Sequence, residues 1–229
     1  MVEPLYTIQQ QCSLCETPYH SSKVRPKFKK AMSRDSDFCH YYEDERYNPE
    51  YYVVQVCPTC GYAHTENFEA KWNEAAKKQF FDKIAANWTF RDYGGERTWE
   101  DAMSAYKIAL VCAQITQQSD RVIAGLLHHI AWLYRYRKQH EQEKRFLQFA
   151  LDAYIRVYEI EGVSVNNAKL MYLLGELQRR LKNYNEAIRW FSRVVNDQKI
   201  MDAAMIAACR EQWAVVREDM ERDKLQAEA

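Results

Sequence analysis

The sequence predicts a mainly α chain in which a small β head precedes a helical repeat array. Three observations carry that expectation. Two Cys-x-x-Cys pairs, Cys12-Ser-Leu-Cys15 and Cys57-Pro-Thr-Cys60, fall within the first 60 residues. All five prolines lie at or before residue 58, and few glycines follow. Beyond them, apolar residues recur at helical spacing in segments that pair off and align on one another.

The cysteine pairs organise the head. Two thiolates two residues apart can meet one metal ion while the turn between them aims backbone N–H groups at the sulfurs. A second pair completes four ligands, which predicts one structural zinc held by Cys12, Cys15, Cys57 and Cys60, closed to substrate. Gly61 suits the position after a thiolate, where φ is often positive. Pro58 stiffens the same turn. The 41 residues between Cys15 and Cys57 exceed the gap of a minimal ribbon. A redox dithiol is the alternative, but it needs a βαβ context that the sequence lacks.

In chain order, Leu5 to Gln11 reads as a strand into the first knuckle. Tyr51-Tyr-Val-Val-Gln-Val56, aromatic and β-branched, reads as a strand into the second, in the same sheet. Between them a basic run (Lys23, Arg25, Lys27, Lys29, Lys30) precedes an acidic one from Arg34 to Glu45. The plain reading is two solvated loops of opposite sign lying against each other. Sharper readings are a phosphate or nucleic-acid contact by the basic run, or a second metal site of Asp35, Asp37, Cys39 and His40. Hard carboxylates beside a Cys-His pair define no single metal preference.

Asn67 to Trp88 reads as the first long helix, broken at Tyr93-Gly-Gly95. Thr98-Trp-Glu-Asp101 reads as a capping box opening the next helix, and Ser119 opens another. Gly162 and Ser164 separate later helices, Asn183 divides two more, and a last helix spans about 202–220. The resulting divisions are 1–64 for the zinc-ribbon-like head, 65–97 for a connecting helix and loop, 98–220 for the repeats and 221–229 for a frayed tail.

The repeat is tetratricopeptide-like. With Leu174-Gly175 on the Leu-Gly of such a unit, Met171, Tyr184, Ala187 and Phe191 take the other large and small positions. Leu127, Ile130, Ala131 and Tyr134 fill an earlier first helix, although Glu143 stands where alanine is expected. The spacing is loose, 41 from Ala109 to Ala150 and 44 from Ala150 to Val194, against about 34 in a strict repeat. An irregular α-bundle is the alternative. The inward positions are Gly125, His128, Trp132, Arg135 and Tyr136 on one first helix, and Lys169, Tyr172, Glu176, Arg179 and Arg180 on the next. They are aromatic and mainly basic, and read either as a groove for an acidic, partly apolar protein segment or as an ordinary solvated face.

With Asp35-Ser-Asp37 before Cys39-His40, Asn48-Pro49, Tyr51-Tyr52, the Cys-Pro-x-Cys-Gly-Tyr knuckle and the repeat tail, nearly the whole chain resembles the bacterial domain of unknown function 2225. That resemblance implies a bacterial, cytoplasmic protein and no particular activity.

Function classes narrow accordingly. No apolar run reaches membrane-spanning length and no signal-peptide core opens the chain, which predicts a cytoplasmic protein without membrane contact. With 32 basic and 32 acidic side chains, the formal charge is zero, which argues against a dedicated nucleic-acid binder. Cys112 and Cys209 sit in apolar helical stretches. His128 and His129 are neighbours on a helix and point different ways. No phosphate loop, nucleophile elbow or His-Glu-x-x-His is present. A non-catalytic scaffold or adaptor binding a protein or peptide is the leading reading. A nucleic-acid-associated ribbon and a thiol redox sensor are the alternatives.

Overall fold

The computed structural model describes residues 2–69, 71–161 and 167–228. Three short antiparallel hairpins build the head. Strands β1 (Leu5–Gln11) and β2 (Pro18–Val24) pair from Leu5 opposite Val24 to Gln11 opposite Pro18. Strands β3 (Ser33–Arg34) and β4 (His40–Tyr41) form a finger with residues 35–39 at its tip. Strands β5 (Gln55–Val56) and β6 (Ala63–His64) form the third hairpin.

Two expectations are corrected here. The strand after the finger is short because Asn48-Pro49 starts a 3-10 turn over Pro49–Tyr52, with the Asn48 side chain accepting from the Glu50 N–H. The buried Arg97 then takes the Tyr51 and Val54 carbonyls at 3.0 and 2.7 Å. Local β-propensity yields to those bonds, and β5 pairs with β6 rather than with β1.

Seven α-helices follow among the described residues: α1 (Glu74–Lys83), α2 (Trp99–Ile115), α3 (Asp120–Tyr136), α4 (His140–Glu161), α5 (Ala168–Arg180), α6 (Tyr184–Asn196) and α7 (Ala203–Glu228). The first is shorter than the sequence suggests. The Gln118 side chain binds both the N–H and the carbonyl of Glu69, each at 2.8 Å, fixing that stretch as loop. Helix α1 instead starts where Asn73 caps the Ala76 N–H. The Thr98–Asp101 capping box is present in both directions. Helix α7 continues to Glu228, into the segment expected as a tail; Asp223 on it meets the Tyr184 hydroxyl and Lys182. Gly162 and Ser164 lie outside the described residues.

Three of the helical corners share one geometry. Gln117, Lys138 and Lys182 have φ of 50°, 54° and 65°. Each is followed by a residue whose N–H reaches back to the carbonyl five positions earlier: Gln118 to Ala113, Gln139 to Tyr134 and Asn183 to Gln178. This left-handed cap satisfies orphan carbonyls and reverses the chain tightly, so α2, α3 and α4 run alternately, as do α5 and α6. Gly175 is required where α5 meets α6, because a Cβ there would lie 2.5 Å from the Phe191 ring.

Two apolar cores result, and α3 serves both. Leu126, Ile130 and Leu133 join a core with the head, α1 and α2. Ala124, Leu127 and Ala131 join the other with α4 to α7. Among the described residues no helix is long and apolar enough to cross a membrane.

Candidate functional site

The two cysteine pairs sit in equivalent turns. In the first, the Cys12 N–H bonds the Thr17 carbonyl and the Glu16 N–H bonds the Cys12 carbonyl, at 3.1 and 3.0 Å; in the second, Cys57 bonds Tyr62 and Gly61 bonds Cys57, at 2.8 and 2.9 Å. The residue after each pair is left-handed, Glu16 with φ 59° and Gly61 with φ 78°. Gly61 is also constrained sterically: a Cβ would meet the Trp88 ring at 2.5 Å, while the Trp88 indole N–H donates to the Pro58 carbonyl at 2.8 Å.

These turns bring all four Sγ atoms within 4.8 Å of one another. Cys12 and Cys60 are 3.6 Å apart, and Cys15 and Cys57 are 3.7 Å apart. Bonds of about 2.3 Å from sulfur to a tetrahedral metal give edges of about 3.8 Å, so the set fits such an ion. Four sulfurs this close cannot all be thiolates without a cation. Contact with Cys57 pushes the Cys12 thiol up to about 12, contact with Cys12 pushes Cys60 up, and Cys57 is drawn down by both. His64 stays out of the cluster, its Nε2 3.1 Å from the Tyr19 hydroxyl. Among the described residues no other group of His, Cys, Asp and Glu converges closely enough to hold a metal. Asp35, Asp37, Cys39 and His40 do not form one.

The finger goes elsewhere, onto the face formed by α3 and α5. Asp37 is fully buried there. Its Oδ1 accepts from Arg135 at 2.8 Å and its Oδ2 from Arg135 at 2.7 Å and Trp132 at 3.1 Å. His128 Nε2 is 3.2 Å from Oδ2, and Arg180 lies 3.3 Å from Oδ1. Burial opposes ionisation, but the Arg135 and His128 hydrogen bonds and the Arg180 charge overcome it and hold this carboxyl well below its usual range. Burial lowers His128 in turn, against the pull of Asp37. Asp35 accepts from Arg135 at 2.7 Å. The Ser36 hydroxyl donates to the buried Glu176 at 2.5 Å, and the Ser36 carbonyl accepts from Tyr172 at 2.9 Å. Phe38, left-handed at φ 70°, packs its ring 5.6 Å from Tyr172 and beneath Lys169. The Cys39 thiol and the His40 carbonyl reach the Tyr136 hydroxyl at 3.6 and 2.9 Å.

Nine of the ten inward positions therefore converge on one surface around the finger. Arg179 does so through Glu176, at 2.7 Å, and Asp219 of α7, at 2.5 Å. The tenth, Gly125, lines a separate small cleft beside Tyr106 and His129. The expectation that these side chains stand clear of packing is corrected: His128, Trp132, Tyr172 and Glu176 are buried under the chain's own acidic segment. The expectation of a solvated loop lying against the basic run is corrected as well. The segment's neighbours are instead arginines about 100 residues away in sequence. Lys23 of the basic run pairs with Glu66, and the Arg25 Nε donates to the Glu3 carbonyl.

Sequence reasoning missed three supports. Arg97 is fully buried and binds main-chain carbonyls rather than a carboxylate; only its place after the glycines hinted at a role. Trp88 covers the second knuckle. Glu50 lies 3.0 Å from His129 Nδ1, which is 2.8 Å from the Tyr106 hydroxyl. Cys112 and Cys209 are buried, in keeping with their apolar surroundings.

No curated protein and no solved structure matches this chain. A family model described as an uncharacterized protein conserved in bacteria (DUF2225) matches residues 5–216. That span takes in both knuckles, the finger and the helices into α7, and the chain belongs to this family.

Proposed function

We propose that this protein is a non-catalytic interaction module. A zinc ion in the four-cysteine centre stabilises the head, and the inner face of tetratricopeptide-like helices takes an acidic, aromatic-bearing segment of a protein. The observation that carries the reading is the finger itself: a peptide segment already lies on that face, its aspartates on Arg135 and its phenylalanine on Tyr172. Arginine and aromatic side chains gathered on one face are the groups that anchor interfaces. Zinc suits a closed set of four sulfurs with no open position for substrate, which assigns the centre to stability rather than turnover. The test is capture from a lysate of the source cells on immobilised chain, wild type against Asp37→Asn. A discrete partner enriched on the variant, where the face is less firmly occupied, supports the reading. Identical captured sets in both would place recognition elsewhere.

A second reading rests on a different observation. An open cleft of about 600 Å³ on the head is lined by Lys27, Lys30, Phe28, Tyr42 and Tyr47, cations beside rings of the kind that hold single-stranded nucleic acid. Glu43 and Asp44 line it too, which weakens it. Steeply salt-dependent retention on single-stranded DNA, lost in Lys27→Gln with Lys30→Gln, would favour this reading.

A further inference from the structure

The finger defines what the face accepts, position by position. At the first aspartate, Asp35 meets Arg135 at 2.7 Å and Arg180 at 3.4 Å. At the next residue a donor fits, because the Ser36 hydroxyl faces the fully buried Glu176 carboxylate, which also accepts from Arg179 and Arg180. At the third a carboxylate is required, since Asp37 is surrounded by donors from Arg135, Trp132, His128 and Arg180. At the fourth an aromatic ring fills the space between Tyr172 and the Lys169 ammonium, 5.1 Å from the ring centre. Tyr172 and Tyr136 bind main-chain carbonyls, which any peptide offers.

Two features make this occupant exchangeable. The finger is small: two strand pairs, Ser33–Tyr41 and Arg34–His40, and a tip closed by the Asp35 N–H on the Cys39 carbonyl and the Phe38 N–H on the Asp35 carbonyl. Its seat is mostly charged and hydrogen-bonded, and desolvation offsets much of the gain from buried ion pairs. A segment offering the same groups from outside would replace those contacts one for one.

We propose that the α3–α5 face is the docking site for an exposed acidic turn of a partner protein with the pattern Asp, hydroxyl donor, Asp, aromatic, and that the β3–β4 finger is its competitor in cis. This inference rests on the interaction-module reading above and names the partner's chemistry. The charge complementarity argues for that occupant. The face contributes Lys169, Arg135, Arg179 and Arg180; Glu143, Glu176 and Asp219 answer part of that charge, and the two aspartates of the finger meet what Arg135 and Arg180 still offer.

The cis finger acts at an effective concentration of about millimolar, so the intact chain resists competition and a weakened finger does not. The experiment uses a synthetic peptide of residues 33–41 added to the full-length Asp37→Asn chain. The Trp132 indole N–H resonance, which reports its bond to Asp37, is followed by NMR and assigned with Trp132→Phe. A saturable shift is expected, with a peptide carrying Asn at the third position at least about tenfold weaker and the wild-type chain needing at least about tenfold more peptide. No shift at millimolar peptide, with circular dichroism and metal content showing a folded chain, overturns the proposal. If Asp37→Asn does not fold, the milder Asp35→Asn chain and the wild type at high peptide excess give the same reading, and silence in both is equally fatal. Should the folded variant capture a cellular partner that the peptide cannot displace, the pattern is wrong while the interaction reading stands. Failure of both capture and peptide binding removes the reading as well.

Discussion

Replacing Asp37 with alanine tests how firmly the head is fastened to the helices. The side chain is fully buried, and its oxygens sit within 3.3 Å of groups on Arg135, Arg180, Trp132 and His128. Removing one partner of a buried ion pair costs about 3–5 kcal/mol, because the other charge is stranded. Arg135 is not wholly stranded, since it keeps Glu143 at 2.6 Å and Asp35 at 2.7 Å. The lower end, about 3 kcal/mol, therefore applies to the charge. Trp132 and His128 lose an acceptor, which adds about 1–3 kcal/mol. For a chain of this size each kcal/mol shifts Tm by about 2–4 °C, so the total loss is roughly 8–24 °C. Thermal and urea unfolding followed by circular dichroism measure it. The pH dependence carries a sign. The folded carboxyl ionises well below its usual range, so its contribution is present above the unfolded value of about 4 and is lost as pH falls towards the folded value. The gap between wild type and Asp37→Asn should be constant from pH 5 upward and should close below pH 4. A loss under about 1 kcal/mol at pH 7, or a gap insensitive to acid, would refute the reasoning.

Other outcomes follow from the same geometry. Cys57→Ser should abolish metal binding and loosen the head while most helical circular dichroism survives, because ligand assembly and folding are linked; Cys39→Ser, at a thiol outside the cluster, should leave metal content unchanged by elemental analysis. Gly175→Ala places a methyl 2.5 Å from the Phe191 ring and should cost about 1–3 kcal/mol by overpacking, even though alanine is the better helix former; an unchanged urea midpoint would show that α5 and α6 do not meet as described. Arg97→Met removes the donors to the Tyr93, Tyr51 and Val54 carbonyls and should destabilise by several kcal/mol, at about 1–3 kcal/mol per stranded buried group, with unfolding midpoints as the check.

What was legible in the sequence was local. The knuckles were readable from spacing, the α2 start from Thr98 and Asp101, and the α5–α6 contact from Gly175 and Phe191, because each signal lies within a few residues or one helical repeat. The inward helix positions follow from the repeat alignment, and nine of the ten share a surface. Their occupant was not, because a two-residue strand pair has almost no pattern and the match between Asp37 and Arg135 spans 98 positions. Tyr51 and Tyr52 look like strand residues and are not, since Asn48-Pro49 and a distant arginine dictate their backbone. The Asn67–Trp88 helix failed in the same way, through Gln118 binding Glu69 from another element.

The central claim is that the acidic finger and the arginine face are one coupled unit. A double-mutant cycle on Asp37→Asn and Arg135→Met tests it directly, with stabilities taken from urea unfolding at pH 7. Contacting charged residues in one network couple by about 0.5–3 kcal/mol. The two short bonds between these side chains, at 2.8 and 2.7 Å, put the expected coupling at about 2 kcal/mol. Additivity within about 0.3 kcal/mol would mean that the two groups do not meet, and would contradict the account.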